Sequence, residues 1–154
     1  MTNTAKASDS NTTSALQVVL ADVYLLALKT HGFHWNVEGP TFPQLHALFG
    51  TQYEALFEAA DEVAERIRAL KTQAPGSFEQ FKKIATIREQ TGALAADAMV
   101  TQLASDYDAL AIDVQKGINV AADADDVGTE DLLTGLLRDA HKQAWMLRAI
   151  VSKA

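Results

Sequence analysis

The chain has 154 residues, 48% of them hydrophobic, enough for one domain with a continuous core. Thirteen Lys and Arg against twenty Asp and Glu give a net charge of -7, the wrong sign for gathering on nucleic-acid phosphates. Cysteine is absent, which excludes disulfides, thiolate metal sites and thiol nucleophiles and leaves His, Asp and Glu as the strong metal ligands.

The opening residues, MTNTAKASDSNTTS, are polar and lack the apolar core of a secretory signal. Residues 1–13 are therefore expected to form a flexible polar tail and residues 14–154 a single domain in the cytoplasm. No run of eighteen apolar residues points to a membrane. A first helix is predicted from Leu16, Val19, Leu20, Val23, Leu26, Ala27 and Thr30, spaced by three and four. Val18, Tyr24, Leu25 and Leu28 make its other faces apolar too, so burial on more than one side is expected. After the break NVEGP, Thr41 and Gln44 have the spacing of a capping box and open a second helix reaching about Leu70.

Pro75 and Gly76 end that helix, and Ser77 with Gln80 repeats the capping pattern before FEQFKKI, a helical turn within a long crossover. A third long helix is predicted from about Leu94 to Ala122, on a stripe of Met99, Leu103, Tyr107, Leu110, Val114, Ile118 and Ala121. The fourth follows DADDVG with Thr129 as its predicted N-cap and carries Leu133, Leu136, Leu137, Ala140, Ala144, Leu147 and Val151. Four long helices with one long connection, between the second and third, predict an all-α, ferritin-like four-helix bundle.

Three of the four histidines fall in HGFHWNVEGPTFPQLH, and the carboxylates of DEVAE follow on the second helix. Taken singly, each of these residues reads as an ordinary surface or core group. No Glu-x-x-His occurs, which disfavours a di-iron site inside one bundle. A short turn can bring His34 and His46 together, and Asp61 and Glu65, at i and i+4, share one helix face. His46 and Asp61 are fifteen residues apart on one helix, about 22 Å at ~1.5 Å per residue. Ligands lie roughly 2 Å from their ion, so one chain cannot place both on one metal. Two copies of the second helix crossing about a dyad near Tyr53 and Glu54 can, each giving the histidines of one site and the carboxylates of the other. Such a ligand set suits Fe(II), Mn(II) or Zn(II), and iron is the expected metal. Trp35 reads either as a packing anchor or as a radical interceptor beside the site.

KTHGFHWNVEGPTFPQLH, followed by AADEVAERIRAL and the APGS crossover, resembles the signature of the Dps family, the mini-ferritins. The likeness extends over about residues 14–152. It implies a dodecameric shell whose inter-subunit ferroxidase centres oxidise Fe(II) with hydrogen peroxide or dioxygen and store Fe(III), with His34, His46, Asp61 and Glu65 as metal ligands. It also implies that DADDVGTED lines entry pores, with Asp125, Asp126 and Asp131 as candidate pore residues; alone, the run reads as a solvated turn and helix start. His31 and His141 read as surface imidazoles, His31 alternatively as an accessory ligand. Relatives that bind DNA commonly carry a Lys-rich tail; here Lys6 stands against Asp9, so nucleoid compaction is the alternative rather than the leading function. Carboxylates that some relatives place after the second histidine are replaced by Ala47, Gly50 and Thr51.

Overall fold

The structure, a computed structural model, describes residues 2–152, with side chains from residue 10. Among the described residues every regular element is a helix: α1 (Thr2–Asn36), α2 (Phe42–Ala69), α3 (Phe78–Ile84), α4 (Ala96–Asp123) and α5 (Val127–Val151). α1 packs against both α2 and α4, α4 packs against α5, and the short α3 lies on α1. This is the expected four-helix bundle with a short helix in its crossover.

The helical stripes enter the core as their spacing predicts. Leu16, Val19, Leu20, Val23, Leu26 and Ala27 are all essentially inaccessible, and Leu25 on a second face is buried with them. α1 is thus the most enclosed helix, whereas Leu28 stays exposed. By length and composition the segment Ser10–Asn36 could cross a membrane; in the fold its apolar side chains form the bundle core. The Lys29–Asp106 ion pair, 2.6 Å between Nζ and Oδ2, is buried with it.

The crossover runs along α1. Gln17 donates to the carbonyl of Gln73, Tyr24 stacks on Phe81 at 4.7 Å, Asp22 receives the backbone of Thr86 and Ile87, and residues 89–96 border a groove with Phe33 and Asn36. The bundle closes between α2 and α5, where Gln52 donates to Gln143 and Arg66 meets Asp126.

α1 begins at Thr2 and so runs through the boundary placed at residue 13; Thr12 and Thr13 are buried, and the Thr13 and Ser14 hydroxyls donate back to the Ser10 carbonyl, so both are satisfied within the helix. Two local expectations, both of helix caps, are corrected. Thr41 occupies the N-cap of α2 without a side-chain capping bond, because its φ of -96° and ψ of 10° depart from the extended geometry that aims the hydroxyl at the third residue. Thr129 is not the N-cap of α5: Asp126 is, accepting from the Thr129 N–H at 3.1 Å and its hydroxyl at 2.6 Å. The Ser77 cap does form, with the Gln80 backbone N–H donating to Ser77 Oγ, while Gln80 Oε1 accepts from Gly76 N–H and the Ser77 hydroxyl.

Candidate metal centre

The α1–α2 hairpin sets the histidine pair. Gly39 turns the chain at φ 109°, a conformation that a side chain disfavours, and its carbonyl accepts from Phe42 N–H. Beneath the turn Phe33 meets Phe49 with ring centroids 6.3 Å apart, and the fully buried Phe49 contributes about 1.5–3 kcal/mol to holding the two helices together. His34, at the end of α1, and His46, in the first turns of α2, then lie ring on ring, with centroids 3.8 Å apart and planes inclined by 19°.

Each imidazole is fixed by the other residue's backbone. His34 Nδ1 lies 2.7 Å from the His46 carbonyl oxygen, and His46 Nδ1 lies 2.8 Å from the His34 carbonyl oxygen. A carbonyl can only accept, so each Nδ1 carries the proton. In the neutral ring that leaves the Nε2 lone pair free, which is the form that ligates a metal. Gly50, one turn after His46, gives His34 room: a Cβ there would stand 3.3 Å from His34 Cε1. Sequence spacing located the pair but not these reciprocal bonds, because their acceptors are backbone atoms common to every residue.

The carboxylates stand elsewhere. Asp61 and Glu65 are exposed on the later part of α2, and α2 is one unbroken helix from Phe42 to Ala69. The rise of about 1.5 Å per residue therefore applies throughout the interval from His46 to Asp61. Among the described residues, no three His, Asp or Glu side chains of a single chain converge tightly enough to hold an ion. The chain carries a histidine pair and, farther along α2, a carboxylate pair, which do not meet.

Between them lies an aromatic layer. His31 stacks on Tyr53 at 3.9 Å and touches Trp35 at 4.1 Å, while Tyr53 sets its edge to His34 at 5.3 Å. Trp35 is 62% exposed, so on the single chain it lies over His31 rather than in the core. Tyr53 was not singled out for this contact in the sequence, although its place two turns after His46 on one helix face was the available signal. His141 lies on α5 and is exposed, remote in sequence and element from the pair.

The three acidic candidates near the α4–α5 turn divide. Asp126 is already engaged: Arg66 Nη2 approaches Oδ1 at 2.5 Å, and Thr129 occupies both oxygens. Burial alone would push its carboxyl up, but the Thr129 hydrogen bonds and the Arg66 charge prevail and hold it below the ordinary carboxylate value. Its place is that of a cap and a tie between α2 and α5. Asp125, at φ 54°, and Asp131 remain exposed.

The fold is that of a ferritin-like helical protein, and the family model for the ferritin-like domain matches residues 13–154. An uncharacterized low temperature-induced protein of Nostoc sp. is 41% identical over 134 residues, covering 86% of this chain and 75% of its own length. DNA protection during starvation protein 2 of Bacillus anthracis is 36% identical, covering 87% of this chain and 92% of its own. The crystal structure of a Dps protein from Vibrio cholerae O1, described as a member of a broad superfamily of ferritin-like diiron-carboxylate proteins, superposes with a TM-score of 0.91 at 30% identity, over 95% of this chain and 92% of that one. The chain belongs to the Dps family of ferritin-like proteins.

Proposed function

We propose that the chain is the subunit of an iron-oxidising and iron-storing shell, with Fe(II) as substrate and Fe(III) as cargo. The observation that carries this reading is the reciprocal pair of Nδ1–H···O=C bonds, which leaves the Nε2 lone pairs of His34 and His46 free while, among the described residues, no third His, Asp or Glu of the same chain completes a site with them. A second copy crossing α2 about a dyad near Tyr53 would supply Asp61 and Glu65 to complete each site. Two imidazoles and two carboxylates match the preference of Fe(II) for mixed nitrogen and oxygen ligands, and leave positions for water or oxidant.

In this reading the imidazoles bind without exchanging protons, because their N–H groups are committed to backbone carbonyls. The carboxylates neutralise the charge that grows as Fe(II) becomes Fe(III). With hydrogen peroxide as oxidant, two Fe(II) ions each give one electron, the O–O bond breaks, and both oxygens leave as hydroxide or water. Hydrolysis of the Fe(III) formed then releases protons and deposits oxide. Dioxygen is the alternative oxidant, taking four electrons. A closed shell of twelve subunits would hold the oxide, with Asp125 and Asp131 as candidates for drawing Fe(II) through its pores. A cytoplasmic setting is part of the same proposal.

The Bacillus anthracis relative is named for DNA protection. At a net charge of -7, removing Fe(II) and oxidant together is the form of protection the chain favours over coating DNA. Fe(II) oxidation with peroxide, followed by absorbance, tests the proposal. Wild type should oxidise rapidly, and His46→Ala and Asp61→Ala should each lower the initial rate at least tenfold. Undiminished rates in both variants would refute the site. Gel retardation that weakens steeply with added salt would instead support nucleoid compaction.

A further inference from the structure

Asp22 on α1, Thr86 in the crossover and Asp113 on α4 form a chain of oxygens, buried at both carboxyls and reaching the surface at Thr86, that the iron chemistry leaves unused. Asp22 is completely buried, and its Oδ1 accepts from the backbone N–H groups of Thr86 at 2.7 Å and Ile87 at 2.9 Å. Thr86 Oγ1 lies 3.0 Å from Asp22 Oδ2 and 2.7 Å from Asp113 Oδ2. Lys116 Nζ, on the outer side, is 2.6 Å from Asp113 Oδ1.

The hydrogens in this chain do not add up if both carboxyls are ionised. Two oxygen–oxygen links need two hydrogens, and the Thr86 hydroxyl supplies only one. With both acids charged, the Thr86 hydroxyl hydrogen goes to one link and the other sets a carboxylate lone pair against the hydroxyl oxygen; at Asp22, which is completely buried, no water can relieve that clash. One additional proton resolves it. With that proton on Asp22 Oδ2, Asp22 donates to Thr86, Thr86 donates to Asp113, and Lys116 donates to the ionised Asp113, so every polar atom is satisfied.

We propose that Asp22, Thr86 and Asp113 retain one shared proton, and that this proton latches the crossover onto α1 and α4, so that the crossover loosens as the pH rises. The charged groups bonded within the cluster are Asp113 and Lys116 of α4; the crossover contributes a hydroxyl and two backbone N–H groups. Burial pushes the Asp22 carboxyl up, and the neighbouring Asp113 charge adds to this against the pull of the Ile87 and Thr86 bonds. Burial also acts upward on Asp113, but its bonds from Lys116 and Thr86 and the Lys116 charge hold it down. The proton therefore belongs on Asp22. A group raised in the folded state contributes stability at low pH that is lost as the pH climbs through its folded value.

Hydrogen exchange by mass spectrometry on the assembled wild-type protein, between about pH 5 and pH 9 and corrected for the intrinsic exchange rate, reads the latch at the Thr86 and Ile87 amides. Protection there should fall with rising pH, by up to about tenfold per pH unit beyond the midpoint. Asp22→Asn places an N–H donor where the proton sits, and should hold protection level across the range. Asp113→Asn, whose amide can donate to Thr86 while Thr86 donates to an ionised Asp22, should also flatten the curve. The wild-type infrared spectrum should show a carboxylic-acid C=O stretch that disappears along the same titration and is missing from Asp22→Asn. Level wild-type protection, an Asp22→Asn curve that follows wild type, or a wild-type spectrum without that titrating band would overturn the proposal. If Asp22→Asn does not fold, the wild-type infrared titration and Asp113→Asn decide it.

Discussion

Mixing two inactive variants gives a quantitative test of sharing between subunits. His46→Ala removes one nitrogen ligand and leaves Asp61 and Glu65 untouched; Asp61→Ala does the reverse. Because α2 is continuous, the two lesions lie about 22 Å apart on one chain at ~1.5 Å per residue. If each site takes its nitrogens from one chain and its oxygens from the dyad partner, a mixed dimer holds one doubly damaged site and one intact site. Random pairing of equal amounts makes about half of all dimers mixed, so roughly a quarter of wild-type sites should be restored. The assay is the initial rate of Fe(II) oxidation after the variants are dissociated and reassembled together, with mixing verified by native mass spectrometry on differently tagged chains. A site built within one chain predicts no recovery at any ratio. A verified mixture no faster than its parents would refute the dyad argument, and recovery well above a quarter would show that one of the lesions was not disabling.

Two further outcomes follow from the packing. Lys29→Met strands the buried Asp106 carboxylate with only the Gln102 bond at 3.0 Å, and should destabilise the protein by about 3–5 kcal/mol. In thermal melts at fixed subunit concentration that is a drop of roughly 6–20 °C at ~2–4 °C per kcal/mol, largely recovered by pairing it with Asp106→Leu. Asp126, held below the ordinary carboxylate value, contributes stability that is present above its unfolded pKa and lost as the pH falls through its folded one. Urea melts of wild type should therefore lose stability on acidification through that window, and Asp126→Asn should be weaker at neutral pH yet lose less on acidification; an unchanged acid slope would deny Asp126 that role.

The helices were legible because each buries a stripe set by its own period. Leu16 to Ala27 and Met99 to Ala121 declare their inward faces without reference to any neighbour. The ends were less legible, since a cap depends on local backbone angles: Thr41 has the right side chain in the wrong conformation, and Asp126 displaces Thr129 as the cap of α5. The start of α1 was missed for a related reason. Its run of Ser and Thr suggests a tail, but in the helix the Thr13 and Ser14 hydroxyls return to the Ser10 carbonyl.

The sequence by itself determined the periodicity, the long crossover and, through helix rise alone, that His46 and Asp61 of one chain are too distant to share an ion. These are properties of composition and one-dimensional spacing. Only the tertiary structure decided which nitrogen of each histidine is free, that Asp126 is committed to Arg66 and Thr129, and that Asp22 and Asp113 meet through Thr86. Apart from the local Asp126–Thr129 cap, each of these depends on a backbone carbonyl twelve residues away, or on side chains twenty-seven to sixty-four residues apart, brought within hydrogen-bonding distance by the packing of helices. Spacing along a single helix carries no record of such meetings.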